Sequence, residues 1–186
     1  MDSLVDNFLY YSTYKLSAIK RYNNRHFISA ENVLEHTGSV GLISLVLSNY
    51  FNTIGIKNST EMVLKMALIH DLPETLSGDI VHPAKYHYGK LSDNLRNSIE
   101  MIEDYSMENM ISMIDSKKIG NEIGNNLMFY YKTYKKRVSI ESKIVKLADM
   151  YSVILYAKKE ISIGNNSMVE EIANAKKVIS KILETI

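Results

Sequence analysis

No cysteine occurs among the 186 residues, which excludes disulfides, thiolate metal ligands and cysteine nucleophiles. No apolar run approaches the roughly 20 residues of a membrane span. The polar residues Asp2, Ser3, Asp6 and Asn7 near the start do not make a secretory signal. The protein is therefore expected to be soluble and cytoplasmic, with no membrane partner. Excess charge of either sign is lacking too. The formal net charge is +1, which gives no broad surface for a nucleic acid polymer but leaves room for a local basic pocket around a small phosphate.

Helix breakers are scarce. Two prolines and eight glycines leave long segments of 3.6-residue apolar periodicity, so the fold class expected is all-α, a helical bundle without repeats or a flexible linker. With 46% hydrophobic residues, residues 1–186 suffice for a single domain with a substantial core. The periodicity places helices at 3–22, from residue 29 or 30 to about 51, and at 60–72, 92–114, 121–136, 141–161 and 167–183. Residues 73–90 hold Pro73, Pro83, Gly78 and Gly89 and read as an ordered loop of the length that is often functional. The last helix has an apolar face suited to the periphery of the bundle or to a dimer.

Against this background four residues stand out. His36 is followed by Val40, Ile43 and Leu47 at helical spacing, and His70 shares a face with Val63, Met66 and Ala67. Asp149 aligns with Val145, Ser152, Val153 and Tyr156. An ionised carboxylate on such a stripe is costly unless something positive meets it, and no lysine or arginine is expected in the neighbouring turns on that face. Asp71 lies in a last helical turn because Pro73 disfavours helix at Leu72, and the negative helix end repels it there. One divalent cation would answer both problems. Two imidazoles and two carboxylates suit an octahedral ion with two positions open to water and substrate, which points to a metal-dependent hydrolase. Taken singly, each residue has an ordinary reading. A lone histidine on an apolar stripe is more often a hydrogen-bonded core residue, and Asp149 could pair with Arg21 or another cation.

In this order and on helices, His36, His70-Asp71 and Asp149 resemble the HD-domain phosphohydrolases. The strings ENVLEH (31–36), ALIHDLPETLSGDI (67–80), HPAKY (82–86), KLAD (146–149) and GNN (164–166) are similar to those of the YfbR-type 5'-deoxynucleotidases, over about residues 21–166. The resemblance implies an HD-domain helical bundle, a homodimer and one divalent metal ion: cobalt, manganese, nickel, iron, magnesium or zinc. It implies hydrolysis of deoxynucleoside 5'-monophosphates to deoxynucleoside and phosphate. By position, His36, His70, Asp71 and Asp149 would be the ligands, Glu74 the catalytic carboxylate and Asp79 the contact to the sugar. Arg21 would orient the phosphate with Tyr22 beside it, and His82, Pro83, Ala84 and Lys85 would form a substrate-binding loop. Two positions depart from the pattern: Tyr22 stands where tryptophan is expected, and His82 where a small hydroxyl residue is.

Chemically, Glu74 lies three residues beyond Asp71, where it could orient or deprotonate a water, and Arg21 offers phosphate a planar fork that lysine cannot imitate. Two alternatives stay open. Some HD enzymes of similar size remove triphosphate from deoxynucleoside triphosphates, and the residues around the metal do not separate the two activities. A catalytically silent nucleotide-binding HD module would keep the same fold. The tyrosines at 130, 131 and 134, among lysines, superficially suggest single-stranded nucleic acid; an amphipathic helix end explains them more simply.

Overall fold

The computed structural model describes residues 3–80, 89–114 and 118–186. Helices dominate: α1 (Ser3–Tyr10), a π-helical turn (Tyr11–Lys15), α2 (Leu16–Ala18), α3 (Val33–Thr53), α4 (Thr60–Ile69), α5 (Glu74–Ser77), α6 (Lys90–Ser112), α7 (Lys118–Lys136), α8 (Ile140–Ser162), a 3-10 turn (Asn166–Met168) and α9 (Val169–Leu183). Among the described residues the extended pairing amounts to one isolated antiparallel bridge, Lys20 with Asn32. The all-α expectation holds. Among the described residues no helix is long and apolar enough to cross a membrane.

The first helix ends earlier than its periodicity predicts. The hydroxyls of Ser12 and Thr13 donate to the Leu9 carbonyl at 3.3 and 2.5 Å, competing with the backbone ladder where the π-helical turn begins. Ile19 is extended, because residues 19–21 pair with 31–33: Arg21 N–H donates to Glu31 O and Val33 N–H to Ile19 O, both at 3.0 Å. Arg21 therefore lies on this paired segment and Tyr22 in the bend that follows it, not at a helix end. The same pairing delays α3 to Val33, where Asn32 and Glu35 form a reciprocal capping box, each side chain accepting the other's backbone N–H at 2.9 Å. In the segment 73–90 the structure places α5, which Pro73 introduces at φ −59°; residues 81–88 fall outside the described residues.

The chain sorts into two compact units. The first holds Met1–His26, Ala30–Glu35 and Asp71–Phe129; there α5 packs on α6, and Leu16, Leu72, Ile99, Met107 and Met110 are buried. Gly124 of α7 meets α6 so closely that a Cβ would stand 2.6 Å from Ile111 Cγ2, a reason for glycine inside a helix. The second unit holds Phe27–Ser29, His36–His70 and Tyr130–Ile186. Its core joins Val40 of α3, Val63, Met66 and Ala67 of α4, Tyr134 of α7, Val145 and Ala148 of α8 and Ala175 and Ile179 of α9. Tyr131 and Tyr134 are buried, which makes them packing residues, as the simpler reading of that cluster has it.

Candidate metal centre

Three helices of the second unit each contribute one candidate ligand from a core-facing stripe. His36 of α3, His70 at the end of α4 and Asp149 of α8 are all buried, next to Val40, Ala67 and Ala148 of the core. Each offers a ligand atom, and these atoms lie within 4.8 Å of one another. His36 Nε2 stands 3.3 Å from Asp149 Oδ1, and the two imidazole rings lie 5.5 Å apart.

The ring partners fix how the imidazoles present themselves. His70 Nδ1 is 2.7 Å from the carbonyl of Ala67. A carbonyl only accepts, so Nδ1 carries the proton and buried Nε2 is the lone-pair atom of the neutral ring. His36 Nδ1 lies 3.1 Å from Ser152 Oγ, which can hold that ring in the same tautomer. Outer partners of this kind are what orient histidine ligands of a metal. Tyr134 meets the His70 ring edge-on at 5.6 Å and is itself covered by the Arg137 guanidinium, 3.3 Å from its ring centre. Atoms about 2.1 Å from one ion stand about 3 Å apart when adjacent and about 4 Å when opposite. The 3.3 Å between His36 Nε2 and Asp149 Oδ1 suits adjacent ligands, and the whole set, within 4.8 Å, lies close enough that a small inward shift would let it hold a divalent ion.

One expectation about Asp149 is corrected. Lys146, three residues earlier on α8, donates to Asp149 Oδ2 at 2.6 Å. Three residues is one helical turn, so Lys146 shares the face after all; its type, usually solvated, concealed this. Burial pushes the Asp149 carboxyl up, but the Lys146 ammonium, with His36 and His70, overrides burial and holds it well below the usual carboxylate range. The lysine occupies one oxygen only. Oδ1 faces His36.

Arg21, Tyr22, Asp71, Glu74 and Asp79 lie in the first unit. Asp71 follows His70 and accepts the Glu74 N–H on its carbonyl at 3.0 Å, in the turn that opens α5; both side chains are half-buried. Arg21 donates to the Glu31 carboxylate at 2.6 Å, with both side chains largely covered, and its guanidinium lies 5.0 Å from the Tyr22 ring centre. Asp149 thus pairs with Lys146, while Arg21 pairs with Glu31. Tyr22 is left-handed at φ 55°, and its N–H donates to Asp79 Oδ2 at 3.0 Å. The Asp79 carbonyl accepts from Asn23 Nδ2 at 3.0 Å. The structure thus brings Arg21, Tyr22 and Asp79 together. His82, Pro83, Ala84 and Lys85 lie outside the described residues.

Glu160 escaped the sequence reading. Fully buried near the end of α8, it accepts the backbone N–H groups of Ile28 and Ser29 at 3.0 and 2.8 Å and Asn165 Nδ2 at 2.8 Å. Burial raises its pKa, and these hydrogen bonds, with Lys159, lower it further than burial raises it. The Ser29 carbonyl also accepts from Tyr156 O–H at 3.0 Å, so residues 28–29 are strapped onto α8. Its motif neighbour Asn165, in GNN, was the available signal.

A family model described as YfbR-like, 5'-deoxynucleotidase YfbR-like, matches residues 7–185. A protein of Yersinia pestis described as a 5'-deoxynucleotidase is 27% identical over 167 residues, covering 89% of this chain and 80% of its own. Among solved structures, an HD-domain phosphohydrolase from Listeria innocua superposes with a TM-score of 0.79 at 24% identity, covering 97% of this chain and 82% of its own. A protein from Pyrococcus horikoshii superposes at 0.72 and 24%, covering 97% and 94%.

Proposed function

The chain belongs to the YfbR-like 5'-deoxynucleotidase family, and on that premise we propose that it hydrolyses deoxynucleoside 5'-monophosphates to deoxynucleoside and phosphate. Family membership and the HD-type fold make it a phosphoric monoester hydrolase. One observation carries the reading: His36, His70 and Asp149 come from three helices to within 4.8 Å of one another in a buried core, where such groups are costly without a purpose. We propose a single divalent ion held by these three and by Asp71, in a homodimer of the cytoplasm. One family model spans both compact units, which supports treating residues 1–186 as one HD domain.

When bound, a divalent ion supplies neutralisation of phosphoryl charge and acidification of water. The chain's own residues supply the rest. Glu74 takes a proton from the water whose oxygen bonds to phosphorus, the bond between phosphorus and the 5'-oxygen breaks, and that proton passes on to the departing 5'-oxygen, which leaves as the nucleoside hydroxyl. The Arg21 guanidinium, held against Glu31, orients the phosphate through charge-assisted hydrogen bonds. Asp79 spends Oδ2 on the Tyr22 N–H, which leaves Oδ1 for the sugar 3'-hydroxyl. The same bond fixes Tyr22, whose ring stacks on the base or walls off a 2'-hydroxyl. His82, Pro83, Ala84 and Lys85 complete the substrate loop.

The test is a screen of ribo- and deoxynucleoside mono-, di- and triphosphates with manganese or cobalt, scored by product. Inorganic phosphate from deoxynucleoside monophosphates is the expected result. Intact triphosphate released from deoxynucleoside triphosphates would assign the chain to the triphosphohydrolase alternative. One observation favours a silent module: Lys146 and His36 already flank the Asp149 carboxylate. Absence of turnover with every nucleotide and metal would select it.

A further inference from the structure

The two oxygens of Asp149 have different neighbours. Oδ1 faces His36 Nε2 at 3.3 Å, and Oδ2 receives the Lys146 ammonium at 2.6 Å. The lysine side chain is 28% exposed and the aspartate 10%, so a flexible four-carbon stem is laid inward from the rim of α8 to reach a buried oxygen. An ordinary surface pair would not repay that ordering and partial desolvation. The distinction matters because a carboxylate can grip a cation with one oxygen or with two. Two-oxygen coordination fills an extra position, one that water or substrate needs.

We propose that Lys146 is a positioning residue that holds Asp149 to one-oxygen coordination, keeping Oδ2 away from the cation and a coordination position open. This rests on His36, His70 and Asp149 being metal ligands. Two properties follow. The ammonium compensates Asp149 when the cation leaves, so the ligands stay arranged without it. The ammonium also repels the incoming cation, so the site binds metal more weakly than its donors alone would. Lysine suits the task because it is a compact point charge, which bonds one oxygen and leaves the other.

The experiment uses the full chain stripped of metal. Manganese affinity is measured by titration calorimetry, and coordination by the visible absorption spectrum of the cobalt-loaded protein. Wild type and Asp149→Asn come first: binding by wild type that Asp149→Asn loses establishes the ligand reading. No binding by wild type, or undiminished binding by Asp149→Asn, defeats that reading and the role of Lys146 with it. Once the ligands are established, Lys146→Met is expected to bind manganese at least about tenfold more tightly, because one repelling charge is gone, and to show an altered cobalt spectrum. If Lys146→Met does not fold, Lys146→Gln, which keeps reach but not charge, takes the same two measurements. A wild-type cobalt spectrum in the uncharged variant, or manganese affinity equal to or weaker than wild type, overturns the proposal.

Discussion

Ser152 Oγ lies 3.1 Å from His36 Nδ1, one turn beyond Asp149 on α8. One helix thus provides both a carboxylate facing the Nε2 side of the imidazole and a hydroxyl on its Nδ1 side. The first contact belongs to the centre itself, while the second orients the ring and can keep the proton on Nδ1. Ser152→Ala is expected to weaken manganese binding by about 10-fold to 100-fold, the usual cost of losing an outer partner of a ligand histidine. Calorimetry checks affinity, and unchanged helical circular dichroism checks that the fold survives.

Glu74→Ala is expected to keep metal and substrate binding and to lose turnover by at least about a hundredfold, the lower end of what a positioned general base contributes. Single-turnover kinetics on a deoxynucleoside monophosphate measure the loss. A variant with full activity would remove Glu74 from its role.

Arg21→Lys is expected to raise KM for a monophosphate by about tenfold with metal affinity unchanged. A lysine cannot bond Glu31 and a phosphate through one planar fork. Steady-state kinetics beside a manganese titration separate the two effects. A KM equal to wild type would show that the Arg21–Glu31 pair serves the fold alone.

Glu160→Gln is expected to destabilise the protein by about 1–3 kcal/mol, because the amide sets a donor against groups that are themselves donors. The pH dependence has a definite sign. The folded pKa is lowered from 4.5, so the stabilisation is complete above that value and drains away as pH falls through the folded one. Melting temperatures of wild type and variant should therefore converge in acid and stay apart at neutral pH. A gap constant with pH would contradict a carboxylate origin.

The sequence made the convergence of His36, His70 and Asp149 legible because each sits at helical spacing among residues that must be buried, and burial of polar groups in helices is a local signal. What was hidden depends on partners far along the chain. Ile28 and Ser29 are 132 and 131 residues from Glu160, so of its partners only Asn165, five residues on, lies close to it in the chain. The early end of the first helix has the same cause, since the pairing of residues 19–21 with 31–33 overrides a helical pattern that runs on to Tyr22. Lys146 was hidden differently: its spacing from Asp149 was visible, but lysine ordinarily faces water.

His36, His70 and Asp149 are proposed to hold one divalent cation. Anomalous X-ray diffraction from crystals grown with manganese tests it most directly. A single peak within about 2.3 Å of His36 Nε2, His70 Nε2 and Asp149 Oδ1 is expected, with Lys146 still on Oδ2. A manganese-saturated crystal with no peak there, and His36 bonded directly to Asp149, would contradict it.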